Sequence, residues 1–103
     1  MPRRPAASAL VLGLGLFFTA LPALADDFRD GLRAYRAGDF VTARKIWQPL
    51  AAEGDSRAQT NLGVLLAYGR GVAADPVKAA NYYRRAAESG YAKAQYNLAN
   101  MYR

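Results

Sequence analysis

Cysteine and histidine are both absent from this 103-residue chain. Without cysteine there is no disulfide staple and no thiol chemistry; without histidine the commonest metal ligand and the commonest general base are gone. Acidic side chains are few, 8 against 14 Lys and Arg, for a net charge of +6. Arg3 and Arg4 supply two of those positive charges at the N-terminus, and the rest are interspersed. Interspersed charge of this size is a solubility feature rather than a nucleic-acid footprint. No stretch alternates apolar and polar residues with period two, so strands are excluded and an all-α chain is left.

Charge is missing altogether between Pro5 and Ala25. That run has its apolar centre at Leu10 to Leu21 and ends in Ala23-Leu24-Ala25, directly before Asp26-Asp27. A short basic start, an apolar stretch and small residues at the cleavage positions read as a secretory signal peptide over residues 1–25. An uncleaved anchor is the rival, because the run is nearly long enough to span a bilayer. Pro22 and the two glycines inside the run favour cleavage. The flanks of the Arg pair do not suit a twin-arginine signal, and no cysteine is present to carry a lipid anchor. The expectation is an exported protein, periplasmic or secreted, with no membrane span after cleavage. Its single small domain, Asp26 to Arg103, has little core to spare.

What the chain does contain is a repeat. Ala58-Gln59-Thr60-Asn61-Leu62-Gly63 returns as Ala94-Gln95-Tyr96-Asn97-Leu98-Ala99, a register of 36 residues that also carries Gly54 onto Gly90 and Ala51 onto Ala87. Periods of this length mark stacked arrays of one supersecondary unit. Helical spacing fills in the elements. Phe28, Leu32 and Tyr35 share a face over 26–37, and Phe40, Ala43, Trp47, Leu50 and Ala51 share one over 40–52, where Pro49 predicts a kink or a loosened last turn. A third helix spans Ser56 to Tyr68, with Ala58, Leu62, Leu65 and Leu66 inward. A fourth runs from Pro76 to Ser89 behind Asp75, and a fifth from Ala92 to Arg103. Asp39, Asp55 and Asp75 stand where helix N-caps belong.

Ala58, Leu62, Gly63, Gly69, Gly71, Val72, Asp75, Ala79, Tyr83, Ala86, Ala87 and Gly90 together resemble a Sel-like repeat, a branch of the tetratricopeptide-like superfamily. Residues 55–90 form one such unit, and 91–103 are similar to the first helix of another. Upstream, Gly31, Tyr35, Gly38-Asp39-Phe40, Ala43, Trp47 and Ala51 resemble a plain tetratricopeptide repeat over 26–54. The resemblance implies a solenoid of antiparallel helix hairpins with a concave face, acting as a non-catalytic adaptor or scaffold for other proteins. Cysteine-rich members of that family are associated with β-lactams. This chain has no cysteine and no Ser-x-x-Lys, so an enzyme of that kind is disfavoured. No cofactor or metal is expected.

The first helices of successive units line the groove in arrays of the kind this chain resembles. There Arg57 and Asn61 lie four apart, and Lys93 and Asn97 hold the equivalent places one repeat on. Arg29, Arg33 and Arg36 add charge from the first helix. Such a groove suits an acidic peptide or a chain-terminal carboxylate. The competing reading makes the asparagines ties between helices and the cations solvated surface. A runner-up function is binding to envelope glycan or to a membrane surface through the basic face. Gly69-Arg70-Gly71 is read as a turn, since it has neither the strand nor the lysine of a phosphate loop. Tyr82 and Tyr91 are expected to be the most exposed tyrosines. Helix five points Leu98, Met101 and Tyr102 toward a partner helix, either of a longer array or of another molecule, which allows self-association.

Overall fold

The computed structural model describes residues 27–103; the expected signal peptide lies outside them. Among the described residues there are five helices and no strand: α1 over 27–36, α2 Phe40–Ala52, α3 Ser56–Tyr68, α4 Pro76–Glu88 and α5 Ala92–Met101. Three of the helix starts are fixed by the predicted carboxylates. Asp39 accepts from the Thr42 N–H, Asp55 from those of Arg57 and Ala58, and Asp75 from that of Lys78, each satisfying a donor the helix leaves open. The α5 cap position is Tyr91, which makes no side-chain capping bond.

Three ends differ from expectation. Helix α1 stops at Arg36 rather than Ala37. Helix α4 stops at Glu88 with Ser89 as its cap, and α5 stops at Met101 rather than Arg103. Helix α2 continues through Pro49, whose ring is exposed, and its last turn closes when the Glu53 N–H donates to Pro49 O and Leu50 O.

Consecutive helices pack as neighbours, α2 on α3, α3 on α4 and α4 on α5. Short links make each pair antiparallel. Fully buried alanines at the seams (Ala43, Ala58, Ala79, Ala86 and Ala94) let the backbones approach. One core cluster joins Phe28, Trp47, Leu50, Leu62 and Leu65; a second joins Leu66, Ala79 and Tyr83. Each unit also seats one aromatic ring of its second helix on a glycine of its first. Trp47 lies against Gly31 and Tyr83 against Gly63, so closely that a Cβ at either glycine would fall inside ring atoms. The indole N–H is satisfied there by Phe28 O at 3.3 Å.

The tyrosine exposures correct the sequence reading. Tyr68, Tyr96 and Tyr102 are the exposed ones, about two-thirds accessible at 69%, 67% and 66%. Tyr82 and Tyr91 are half-buried. Tyr82 packs against both core clusters with the Arg85 guanidinium 5.5 Å from its ring, so its face is covered by neighbouring helices.

Two outcomes follow from the Tyr83 seat. Gly63→Ala gains roughly 1 kcal/mol in helix propensity, yet overpacking at the ring costs about 1–3 kcal/mol. The urea midpoint is therefore expected to fall, and a rise would show that the seat is loose. Burial, with smaller contributions from Tyr68 and Tyr35, pushes the Tyr83 hydroxyl up from 10.0 to about 12. The folded state thus holds a proton that the unfolded chain releases, and stability is lost as pH climbs from 10 toward 12. Tyr83→Phe should flatten that alkaline limb in pH-dependent thermal melts.

Candidate functional site

Alternate helices of a hairpin array share one side, so α1, α3 and α5 form a common surface. A cavity of about 240 Å³ opens on it, lined by Leu32, Tyr35 and Arg36 of α1, Asn61 and Val64 of α3, and Lys93 of α5, with Trp47 behind. A second cavity of about 340 Å³ adjoins it, sharing Val64 and Lys93. Tyr68 and Ala67 form its α3 side, Asn97, Asn100 and Met101 its α5 side, and Tyr83 its floor. The two make one groove with an apolar and aromatic floor, three side-chain amides and two cations. No acidic residue lines either part.

Of the residues singled out in the sequence, the structure brings Arg36, Asn61, Lys93 and Asn97 to this groove. It places the other basic ones elsewhere. Arg57 folds back onto its own helix start, 2.8 Å from Asp55, with its guanidinium 4.1 Å above the Phe28 ring. Arg33 pairs with Asp30 on α1. Arg29 is exposed and lines neither cavity. The reason is register: residue 57 lies one turn before Asn61, at the capping carboxylate, and the nearer anion claims it. Asn100, Tyr35 and Val64 were not anticipated as groove residues. Asn100 follows Asn97 by three residues, a spacing that places both on one helix face. Tyr35, on the apolar face of α1, both packs on the core and lines the cavity.

Electrostatics sharpen the contrast between Arg57 and the groove cations. Burial works to raise the Asp55 pKa. Hydrogen bonds from the Arg57 side chain and from the Ala58 and Arg57 backbone outweigh it, and the carboxyl stays below its ordinary value. The Arg57 guanidinium is raised in turn, first by that same hydrogen bond. Among the described residues, neither Arg36 nor Lys93 has a carboxylate within ion-pair distance. Nor do the described residues hold a cluster of three side chains able to ligate a metal ion, or a helix long and apolar enough to cross a membrane.

Residues 56–91 and 92–103 match the Sel1 repeat family. The chain carries Sel1 repeats. The first matched stretch is the α3–α4 hairpin and the second is α5. Sel1 repeats suggest a function of the protein-interaction scaffold kind. An uncharacterized protein of Neisseria meningitidis serogroup B is 38% identical over 63 residues, covering 61% of this chain and 14% of that protein. Chitin synthase regulatory factor 3 of Schizosaccharomyces pombe is 44% identical over 54 residues, 52% of this chain and 6% of that protein. The chain therefore spans only a small part of the length of these two relatives.

Asp55 is more acidic folded than unfolded, so it contributes stability above its ordinary value of 3.8 that is lost as pH falls through the lower folded value. Asp55→Asn keeps a capping oxygen and removes the charge. Its thermal stability should change less than wild type's between pH 5 and roughly pH 2, the range over which a paired carboxylate titrates. An unchanged acid limb would show that Asp55 does not carry it.

Proposed function

We propose that this Sel1-repeat chain is an exported, non-catalytic scaffold that binds an acidic segment of another protein in the α1–α3–α5 groove. One observation carries the reading. Arg36 and Lys93, far apart in sequence, line the same cavity together with Asn61, and no acidic residue lines it. Two cations that converge without a carboxylate favour an anionic ligand, and their bonds to it would be charge-assisted. Asn61, Asn97 and Asn100 offer both donors and acceptors, which suits the peptide groups of an extended segment. The aromatic floor would cover its apolar parts. A relative named as a regulatory factor of an enzyme supports a role through contact rather than catalysis. Export rests on the Arg3-Arg4 start, the apolar run and Ala23-Leu24-Ala25.

The test is fluorescence anisotropy with a fluorescein-labelled hexaglutamate peptide bearing a free C-terminus. Wild-type protein should bind it, and Arg36→Ala/Lys93→Ala should weaken it about tenfold or more, as expected for loss of two charged hydrogen bonds. Arg29→Ala should leave the affinity unchanged. Equal binding by all three proteins that collapses with added salt would move recognition to diffuse surface charge. That outcome would favour an envelope-surface binder instead.

A further inference from the structure

We propose that Arg70, in the α3–α4 loop, is a positioning residue for the groove: it fixes Tyr35 and Tyr68, one tyrosine in the wall of each cavity. This rests on the groove reading above and adds to it a residue that lines neither cavity. The loop backbone is held before the side chain is considered. The Arg70 N–H donates to Leu65 O and the Asp75 N–H to Leu66 O, both at 2.9 Å. Gly69 and Gly71 take φ of 67° and 69°, in the left-handed region where a side chain is strained. Gly71 also lies on the start of α2; a Cβ there would come within 2.7 Å of the Phe40 carbonyl carbon, and Arg44 Nε donates to Gly71 O at 3.1 Å. A loop belonging to the second unit is thus fastened to the first.

From that fixed backbone the Arg70 side chain donates to the Tyr35 hydroxyl. Its guanidinium carbon lies 5.9 Å from the Tyr35 ring, 5.7 Å from Phe40 and 5.1 Å from Tyr68, within the range of cation–π attraction. Tyr35 belongs to the first cavity and Tyr68 to the second, so one planar cation ties the two halves of the wall together. Tyr68 is 69% exposed and belongs to neither core cluster. Tyr35 already packs on Phe40 and Trp47, so Arg70 adds the bond that fixes its hydroxyl, whereas the exposed Tyr68 ring would otherwise have to be ordered when a ligand arrives; immobilising side chains at an interface lowers affinity. Lysine cannot replace it, because an ammonium lacks the flat face that stacks on rings while its N–H groups bond outward.

The experiment uses the hexaglutamate probe with wild type, Arg70→Ala, Arg70→Lys, Tyr35→Phe and the Arg70→Ala/Tyr35→Phe double variant, each first shown to be folded at the assay temperature. Arg70→Ala, Arg70→Lys and Tyr35→Phe should each weaken binding about threefold to tenfold, the scale expected for ordering one or two side chains. The double variant should be no weaker than Arg70→Ala, because both changes remove one interaction. Arg70→Lys keeps the charge, so the salt dependence of its affinity should match wild type although its affinity falls. Wild-type affinity in Arg70→Lys, with Tyr35→Phe also unaffected, would reduce Arg70 to a nearby charge and overturn the proposal. NMR of ring-labelled tyrosine supplies a readout that needs no ligand. Arg70→Ala should average or broaden the Tyr35 and Tyr68 signals and spare Tyr96. Unchanged ring signals overturn the positioning role, whereas altered rings with no probe binding to wild type would count against the acidic-ligand reading alone.

Discussion

The contact on which the rest of the fold depends is an aromatic ring set into a missing side chain. Trp47 fills the space a Cβ would take on Gly31, and Tyr83 does the same at Gly63. This fixes the distance between the two helices of each hairpin more tightly than aliphatic contact would, because a flat ring against bare backbone leaves no slack. The seat has a polar partner in the first unit, where Trp47 donates to Phe28 O and the same ring meets Phe28 and Tyr35 at 6.0 Å between centroids. Once each hairpin is set, the alanine seams determine how hairpins stack. A polar tie then repeats with the sequence register. Gln59 Nε2 donates to Ala51 O and Gln95 Nε2 to Ala87 O, both at 3.1 Å. Arg85 also donates to Ala51 O, so the second unit is hooked to the end of α2 twice.

That stacking is also why the basic residues divide into two sets. Arg33, Arg44, Arg57, Arg70, Arg84 and Arg85 are each engaged by a carboxylate, a carbonyl, a hydroxyl or an amide within the chain. Apart from Arg33, which pairs within α1, they hold links, helix starts and hairpin seams. Arg36 and Lys93 are brought together by the alternation of helices and meet amides and rings in the groove, with no carboxylate within ion-pair distance among the described residues. A net charge of +6 on its own said little about function. Its distribution says more, because six arginines are engaged within the chain while Arg36 and Lys93 face a common space.

Much of the architecture was legible beforehand, for physical reasons. Aspartates before apolar runs are capping signals, and all three formed the expected caps. Helical spacing identified Trp47, Leu62 and Leu65 as core, and all are buried. Periodicity could not say which cation on a helix face would find a neighbour. Arg57 and Lys93 hold equivalent places in the repeat, but position 55 is aspartate and its counterpart at 91 is tyrosine, so only Arg57 is captured. The tyrosines misled for a related reason. Their exposure depends on what the next helix lays over them, and the apolar pattern of one helix does not contain that information. For Gly69-Arg70-Gly71 the turn was readable; the side chain reaching across to the preceding hairpin was not, because its partners lie 30 or more residues upstream.

The two hairpins differ most in the link between their helices. Three residues join α1 to α2, whereas seven join α3 to α4. Both hairpins nevertheless keep the same ring-on-glycine seat, so the four extra residues are not needed to close the second one. They go backward instead, onto Phe40, Arg44 and Tyr35 of the first hairpin. In a linear array each unit contacts only its neighbours. Here a loop supplies a second contact at the rim of the groove, and it does so with charge and aromatic surface rather than aliphatic packing. The sequence of such a loop can therefore change the groove wall of the preceding unit while the helix seams, and with them the fold, stay as they are.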